Sequence, residues 1–203
     1  LVPAVKEAYS GPAAKQHVAA ISRYHRIQAS PGYRAAAAYC LEQLRSWGVQ
    51  AEIVAFPANE RTTYWAARMF QEWDASTATL DLLLPSGERR RLADYREDRI
   101  SLIQRSLPFD GEAEVAVLES GDREADYEGV DVAGKVVLAQ GDIAEVYRLA
   151  VRERGALGIL FDGIREQRPV RQRIDLPDAR QYTSFWWQPG DEPKCFGFVL
   201  TPR

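Results

Sequence analysis

The stretch from Gly129 to Gly163 constrains the fold more than any other part of the chain. Lys135-Val136-Val137-Leu138-Ala139 is a continuous apolar run of strand length, and Gly141-Asp142 opens a helix with Ile143, Val146, Tyr147 and Ala150 on one stripe, ending near Arg154. Asp142 stands at the capping position, and Glu145 three residues on gives the pair the look of a capping box. Gly155 closes the helix, and Ala156-Leu157-Gly158-Ile159-Leu160-Phe161 reads as a second buried strand. Strand, helix and strand joined by such short connections form a right-handed parallel crossover.

Other elements collect around this unit. Ser10-Gly11-Pro12 and Ser30-Pro31 each place a capping hydroxyl beside a first-turn proline, which predicts two helices. The first, near Ala13 to His25, carries Val18, Ile21 and His25 on one stripe. The second carries Tyr33, Ala36, Ala37, Cys40, Leu41, Leu44 and Trp47, and Gly48 stops it. Val49 to Phe56 alternates apolar and polar residues up to Pro57, which predicts a strand with one buried face. Thr79–Leu84 and Arg89–Leu92 flank Pro85-Ser86-Gly87-Glu88 as a hairpin would. Ser101–Arg105 and Glu114–Leu118 read as short strands either side of a Pro108–Gly111 turn. Gln167 to Gly190 is polar and arginine-rich, a long surface excursion before a last strand at Phe196–Leu200. The expected class is α+β.

With 203 residues, 46% of them hydrophobic and 27% charged, the chain is long enough for a real core and too apolar to be disordered. A net charge of -3 gives no overall field toward nucleic acid or anionic lipid. No apolar run approaches the ~18 residues of a membrane span, and Leu1 to Glu7 lack the pattern of a secretory signal. Cys40 and Cys195 are too few for a disulfide framework and read as buried thiols.

Chemistry is scarce. The only imidazoles are His17 and His25; on one helix they would stand ~12 Å apart at a rise of ~1.5 Å per residue, too far to share a metal. There is neither a Gly-x-Ser-x-Gly elbow nor a cysteine in a glycine-rich turn. Glu124, Asp126, Glu128 and Asp131 read as a solvated acidic loop, Arg89-Arg90-Arg91 as a solvated strand edge, and Ala139-Gln140-Gly141-Asp142 as a poor phosphate loop, with one glycine and an acid. No catalytic or metal-binding residue is therefore assigned. The local mixture of cations and aromatics lies in the excursion: Arg165, Arg168, Arg171 and Arg173, then Trp186 and Trp187. Arg165, Arg168, Arg171, Trp186 and Trp187 are the candidate substrate-binding residues, the rival reading being that the tryptophans pin the loop to the body.

Two segments carry a resemblance. Asp131-Val132-Ala133-Gly134-Lys135-Val136-Val137-Leu138 followed by Ala150 to Gly158 resembles the protease-associated domain, over roughly Glu112 to Leu200. His17 to Phe56, with Arg26, Ser30, Gly32, Ala36-Ala37, Tyr39, Leu44, Gly48 and Val49, resembles the opening of dinuclear zinc aminopeptidases of the aminopeptidase Y and bacterial leucine aminopeptidase type. The resemblance implies an amino-terminal helical segment over residues 1–60 and, over 61–203, a protease-associated β-sandwich or barrel with flanking helices, preceded by a hairpin. It also implies a non-catalytic region that guides peptide substrate or mediates protein contacts, with two zinc ions in a catalytic half absent from this sequence and an extracellular setting. The alternative is a stand-alone peptide- or protein-binding module. The apolar stripes of the front helices need cover, whether by dimerisation, by the second domain, or through partial disorder.

Overall fold

The fold is taken from a computed structural model, which describes residues 2–59, 61–70, 72–187 and 193–203, with the backbone only for residues 6–8. Helix and strand are both present, as an α+β chain requires. Two compact units divide between Asp74 and Ala75, so a short hairpin at residues 63–68 belongs to the first.

The first unit holds helices α1 (Val2–Ala8), α2 (Gly11–Ser22) and α3 (Pro31–Ser46), and strands β1 (Thr63–Tyr64) and β2 (Ala67–Arg68), an antiparallel pair. The Ser10 hydroxyl accepts the Ala13 amide at 3.3 Å, and the Ser30 hydroxyl accepts the Tyr33 amide at 3.2 Å, so both caps form where the sequence places them. α2 stops earlier than expected. The Ser22 hydroxyl donates back to the Ala19 carbonyl at 2.9 Å and Arg26 covers the Ile21 carbonyl at 2.5 Å, which ends the ladder and leaves His25 beyond the helix. The chain then folds back on the start of α3, where the His25 carbonyl occupies the space a side chain at residue 32 would need; only glycine fits there. Gly48, at φ +77°, stops α3 as expected.

The predicted strand from Val49 to Phe56 is not formed. Alternation marks out a face, but a strand also needs a ladder partner, and none pairs with this segment among the described residues. Val49, Ile53, Val54 and Phe56 are exposed, as are Val18 on α2 and Trp47 just past the end of α3, and no residue of α2 is buried. Cys40 is half-buried and not sequestered.

The second unit begins with a hairpin of β3 (Thr79–Leu83) and β4 (Arg89–Asp94) around Gly87, whose φ of +84° the turn requires. Arg91 crosses to Asp81 at 2.5 Å and reaches Asp94 at 3.2 Å, so the arginine run is partly paired and not merely solvated. The main sheet is four parallel strands in sequence order: β5 (Val115–Val117), β6 (Val136–Ala139), β7 (Gly158–Phe161) and β8 (Phe196–Val199).

Between β6 and β7 runs α4 (Ile143–Val146), which widens into a π-helix at Tyr147–Arg152. Asp142 caps it, accepting the Ala144 and Glu145 amides at 3.0 and 3.2 Å. Glu145 does not complete a capping box, because its carboxylate turns to Arg148 at 2.9 Å. Val146, Leu149 and Ala150 of this helix join Ala116, Val137, Ile159 and Val199 of the sheet in one core. Gly134, at φ +69°, sends its amide to the Gly155 carbonyl at 2.9 Å, and the Leu157 amide reaches the Lys135 carbonyl at 2.7 Å. The two halves of the Asp131–Gly158 pattern are thus bonded together. Gly134 is there for its backbone angle, since nothing crowds it.

Ser101–Arg105 departs from the predicted strand. Asp98 caps a 3-10 turn at Arg99–Ser101, and Arg105, at φ +68°, breaks the extension. Between them Leu102 and Gln104 make single bridges, to Phe198 and Ser184.

Candidate functional site

A parallel neighbour cannot be reached by a tight turn, so the chain leaving β7 must cross over before it enters β8. The arginine-rich excursion is that crossover, and it is firmly anchored. At its near end Arg173 bonds the Asp162 carboxylate at 2.6 Å and the Gln140 side chain, while the Gln172 amide donates to the Asp175 carboxylate at 2.7 Å as half of a capping pair. At its far end Phe185, Ser184 and Thr183 are buried, and the Gln104 amide and carbonyl bond Thr183 and Phe185 at 3.1 and 3.0 Å.

The five candidate residues do not act alike. The Trp187 ring stacks on Phe185 at 4.7 Å, meets Tyr147 edge-on at 4.8 Å, and its Nε1 donates to the Arg105 carbonyl at 2.7 Å. It is an anchor, as the pinning alternative has it. Trp186 is 53% exposed, and the Arg105 guanidinium lies 4.5 Å from its ring centroid. Arg105 itself is buried, donates to the Ser184 hydroxyl at 2.7 Å, and has its pKa lowered by that burial. Arg171 turns inward, donating to the Arg165 carbonyl at 2.8 Å. Arg165 and Arg168 are exposed, Arg168 pairing with Glu166 at 3.0 Å. The segment just after them adds two residues that the sequence reading passed over: Val170 is 85% exposed and Ile174 81%. Two branched aliphatics inside an otherwise polar loop were the available signal, and Arg105 gave none, because it lies far off in sequence. The predicted end of the excursion, Gln188 to Gly190, lies outside the described residues.

The surface so formed presents exposed guanidinium groups and aliphatic tips above a buried base, suited to contact with carboxylates and apolar side chains.

The strand-helix loops behave differently from a phosphate site. The Asp122 carboxylate accepts the Asp142 amide at 3.0 Å and the Ser120 hydroxyl at 2.8 Å, and it fills the space over Gly141. An internal anion therefore stands where a phosphate would enter. Asp126 is likewise structural and not part of a solvated loop: its side chain accepts the Gly121 amide at 2.7 Å and Arg123 at 2.8 Å, while Glu124 pairs with Arg154 at 2.5 Å. The Tyr127 hydroxyl donates to the Gly121 carbonyl at 2.6 Å, and burial pushes its pKa up to about 12.

The amide of Asp142 and the hydroxyl of Ser120 hold the Asp122 carboxyl below its ordinary 3.8. Its stabilising contribution is complete above that ordinary value and is lost as pH falls through the lowered one. Urea unfolding is expected to show Asp122→Asn less stable than the parent at pH 7, with the gap closing as pH falls below the ordinary 3.8 and the parent's carboxylate is protonated.

His17 packs among aromatic side chains. Its Nδ1 lies 2.9 Å from the Tyr39 hydroxyl, and its ring meets Trp47 edge-on at 5.2 Å, clasping α2 to α3. Among the described residues no group of three or more His, Cys, Asp or Glu side chains is arranged to hold a metal ion. Cys195 is buried and its thiol is pushed up to about 12 by desolvation. Under native conditions at pH 8 it is expected to resist a thiol reagent such as iodoacetamide, and to react once urea unfolds the second unit; peptide mass analysis reads the difference.

No family model, no curated protein and no solved structure matches the chain. No helix among the described residues is long and apolar enough to cross a membrane.

Proposed function

We propose that the chain is the non-catalytic, protease-associated region of a zinc aminopeptidase-like protein, and that it guides peptide substrate or docks protein through the tip of the excursion. The hairpin β3–β4 and the four-stranded sheet are, on this reading, the two layers of a protease-associated sandwich. The zinc ions belong to a catalytic half whose ligand residues have no counterpart in this sequence, and the exposed stripes of α2 and α3 are the face that half would cover. One observation carries the contact reading: an excursion anchored at both ends presents Val170 and Ile174 almost fully to solvent beside Arg165 and Arg168. Exposed aliphatics beside guanidinium groups offer a partner both apolar contact and charge.

The test is a titration with a peptide that alternates Glu and Leu behind a free amino terminus, followed by the emission of Trp186. Saturable binding is expected, weakened at least about tenfold, or ~1.4 kcal/mol, in the double variant Arg165→Glu, Arg168→Glu. Equal affinity in that variant would remove the tip from consideration.

A further inference from the structure

The two edges of the parallel sheet are treated differently. The β8 edge is closed by the chain's own main chain: the Ile103 amide bonds the Gly197 carbonyl at 3.0 Å, the Leu107 amide bonds the Cys195 carbonyl at 3.1 Å, and the Ser106 hydroxyl accepts the Gly197 amide at 3.0 Å. The β5 edge is open. Its ladder to β6 uses alternate residues, with the Val136 amide on the Glu114 carbonyl at 2.9 Å and the Leu118 amide on the Leu138 carbonyl at 3.0 Å. The amides and carbonyls of Val115 and Val117 therefore point away from the sheet, and no hydrogen bond to them is present among the described residues. Both valine side chains are exposed, Val117 at 69%, and the strand has no lysine, proline or bulge to deter pairing.

The geometry points to β5 as a docking edge for an extended peptide segment with apolar side chains flanked by basic ones, added to the sheet as a fifth strand. Main-chain groups would supply the attachment and the exposed valines the apolar contact. Charge selects the occupant. Asp110, Glu112, Glu114 and Glu119 flank the strand, and residues 110–119 contain no lysine or arginine. The cations these acids do meet come from elsewhere as exposed surface pairs: Arg89 on Glu112 at 3.2 Å, Lys135 on Glu114 at 3.5 Å and Arg123 on Glu119 at 3.6 Å. A basic strand would supply such partners from its own side chains, whereas a second copy of β5 would bring four more carboxylates to the same edge. This surface is separate from the excursion and does not depend on the function proposed for it.

The probe is a blocked hexapeptide of sequence Lys-Val-Thr-Val-Thr-Lys, with the same peptide carrying Glu in place of both Lys as its opposite. Affinity is read by fluorescence anisotropy and amide exchange by NMR. Saturable binding of the basic peptide is expected, with slowed exchange at Val115 and Val117 and at least about tenfold weaker binding of the acidic one. Val117→Pro removes one outward amide and none of the β6 ladder, so it should weaken binding by a similar about tenfold factor without lowering the unfolding midpoint. Should that variant unfold, Val117→Lys tests the same edge, because it repels the basic peptide. Equal binding of the two peptides, equal binding by a folded Val117 variant, or protection of the same amides by self-association without peptide would each overturn the proposal.

Discussion

Replacing Trp187 by Ala is expected to destabilise the second unit by about 3 kcal/mol, whereas replacing Trp186 costs less than about 1 kcal/mol. The two neighbours differ because one faces the core. Trp187 loses its contacts with Phe185 and Tyr147 and leaves the Arg105 carbonyl without its indole donor. Trp186 loses a ring face beside the Arg105 guanidinium, on a side chain already half in solvent. Urea unfolding followed by circular dichroism separates the two variants. Comparable losses for both would mean that Trp186 also holds the loop, and that its exposure says nothing about binding. The contrast decides how a joint replacement is read: in a double variant, lost binding would be confounded with lost stability, so Trp186→Ala alone is the informative change.

Arg180→Ala is expected to cost a similar amount, about 2–4 kcal/mol, through a different mechanism. One guanidinium donates to the Val199 carbonyl at 3.0 Å, the Asp98 carboxylate at 2.8 Å and the Leu92 carbonyl at 3.2 Å. It thereby joins the excursion to β8, to the capped turn at Arg99–Ser101 and to β4. Asp98 is partly solvated, which lowers the worth of the ion pair; the two carbonyls make the larger difference. Arg180→Lys is expected to restore less than half of the loss, since an ammonium lacks the planar fork that reaches three acceptors at once. Full rescue by lysine would reduce the site to a simple charge.

Much of the second unit was legible because its elements announce themselves locally. Gly87 sits in a turn between two strand-like runs, the β6 and β7 runs are apolar throughout, and Asp142 and Gly155 bracket the helix between them. What local pattern cannot supply is a partner. Val49 to Phe56 alternates as a strand should, yet finds no ladder among the described residues, and Ser101 to Arg105 is turned aside by the left-handed backbone of Arg105. The helix end at Ser22 was set by a hydroxyl and an arginine reaching back to the backbone, neither of which shows in an apolar stripe. At the candidate site the composition of the loop was visible, but the division of labour within it was not. Whether an arginine faces out, as Arg165 does, or in, as Arg171 does, depends on where the chain folds back. Arg105 and Arg180 owe their roles to contacts that span the fold.

The central proposal is that this chain contributes contact with peptide or protein and not bond cleavage. Its most direct test is to saturate the purified chain with the Glu-Leu peptide and recover the peptide for mass analysis. The account predicts saturable binding with every recovered molecule intact; a peptide shortened from its amino terminus, at a rate abolished by a chelator, would contradict it.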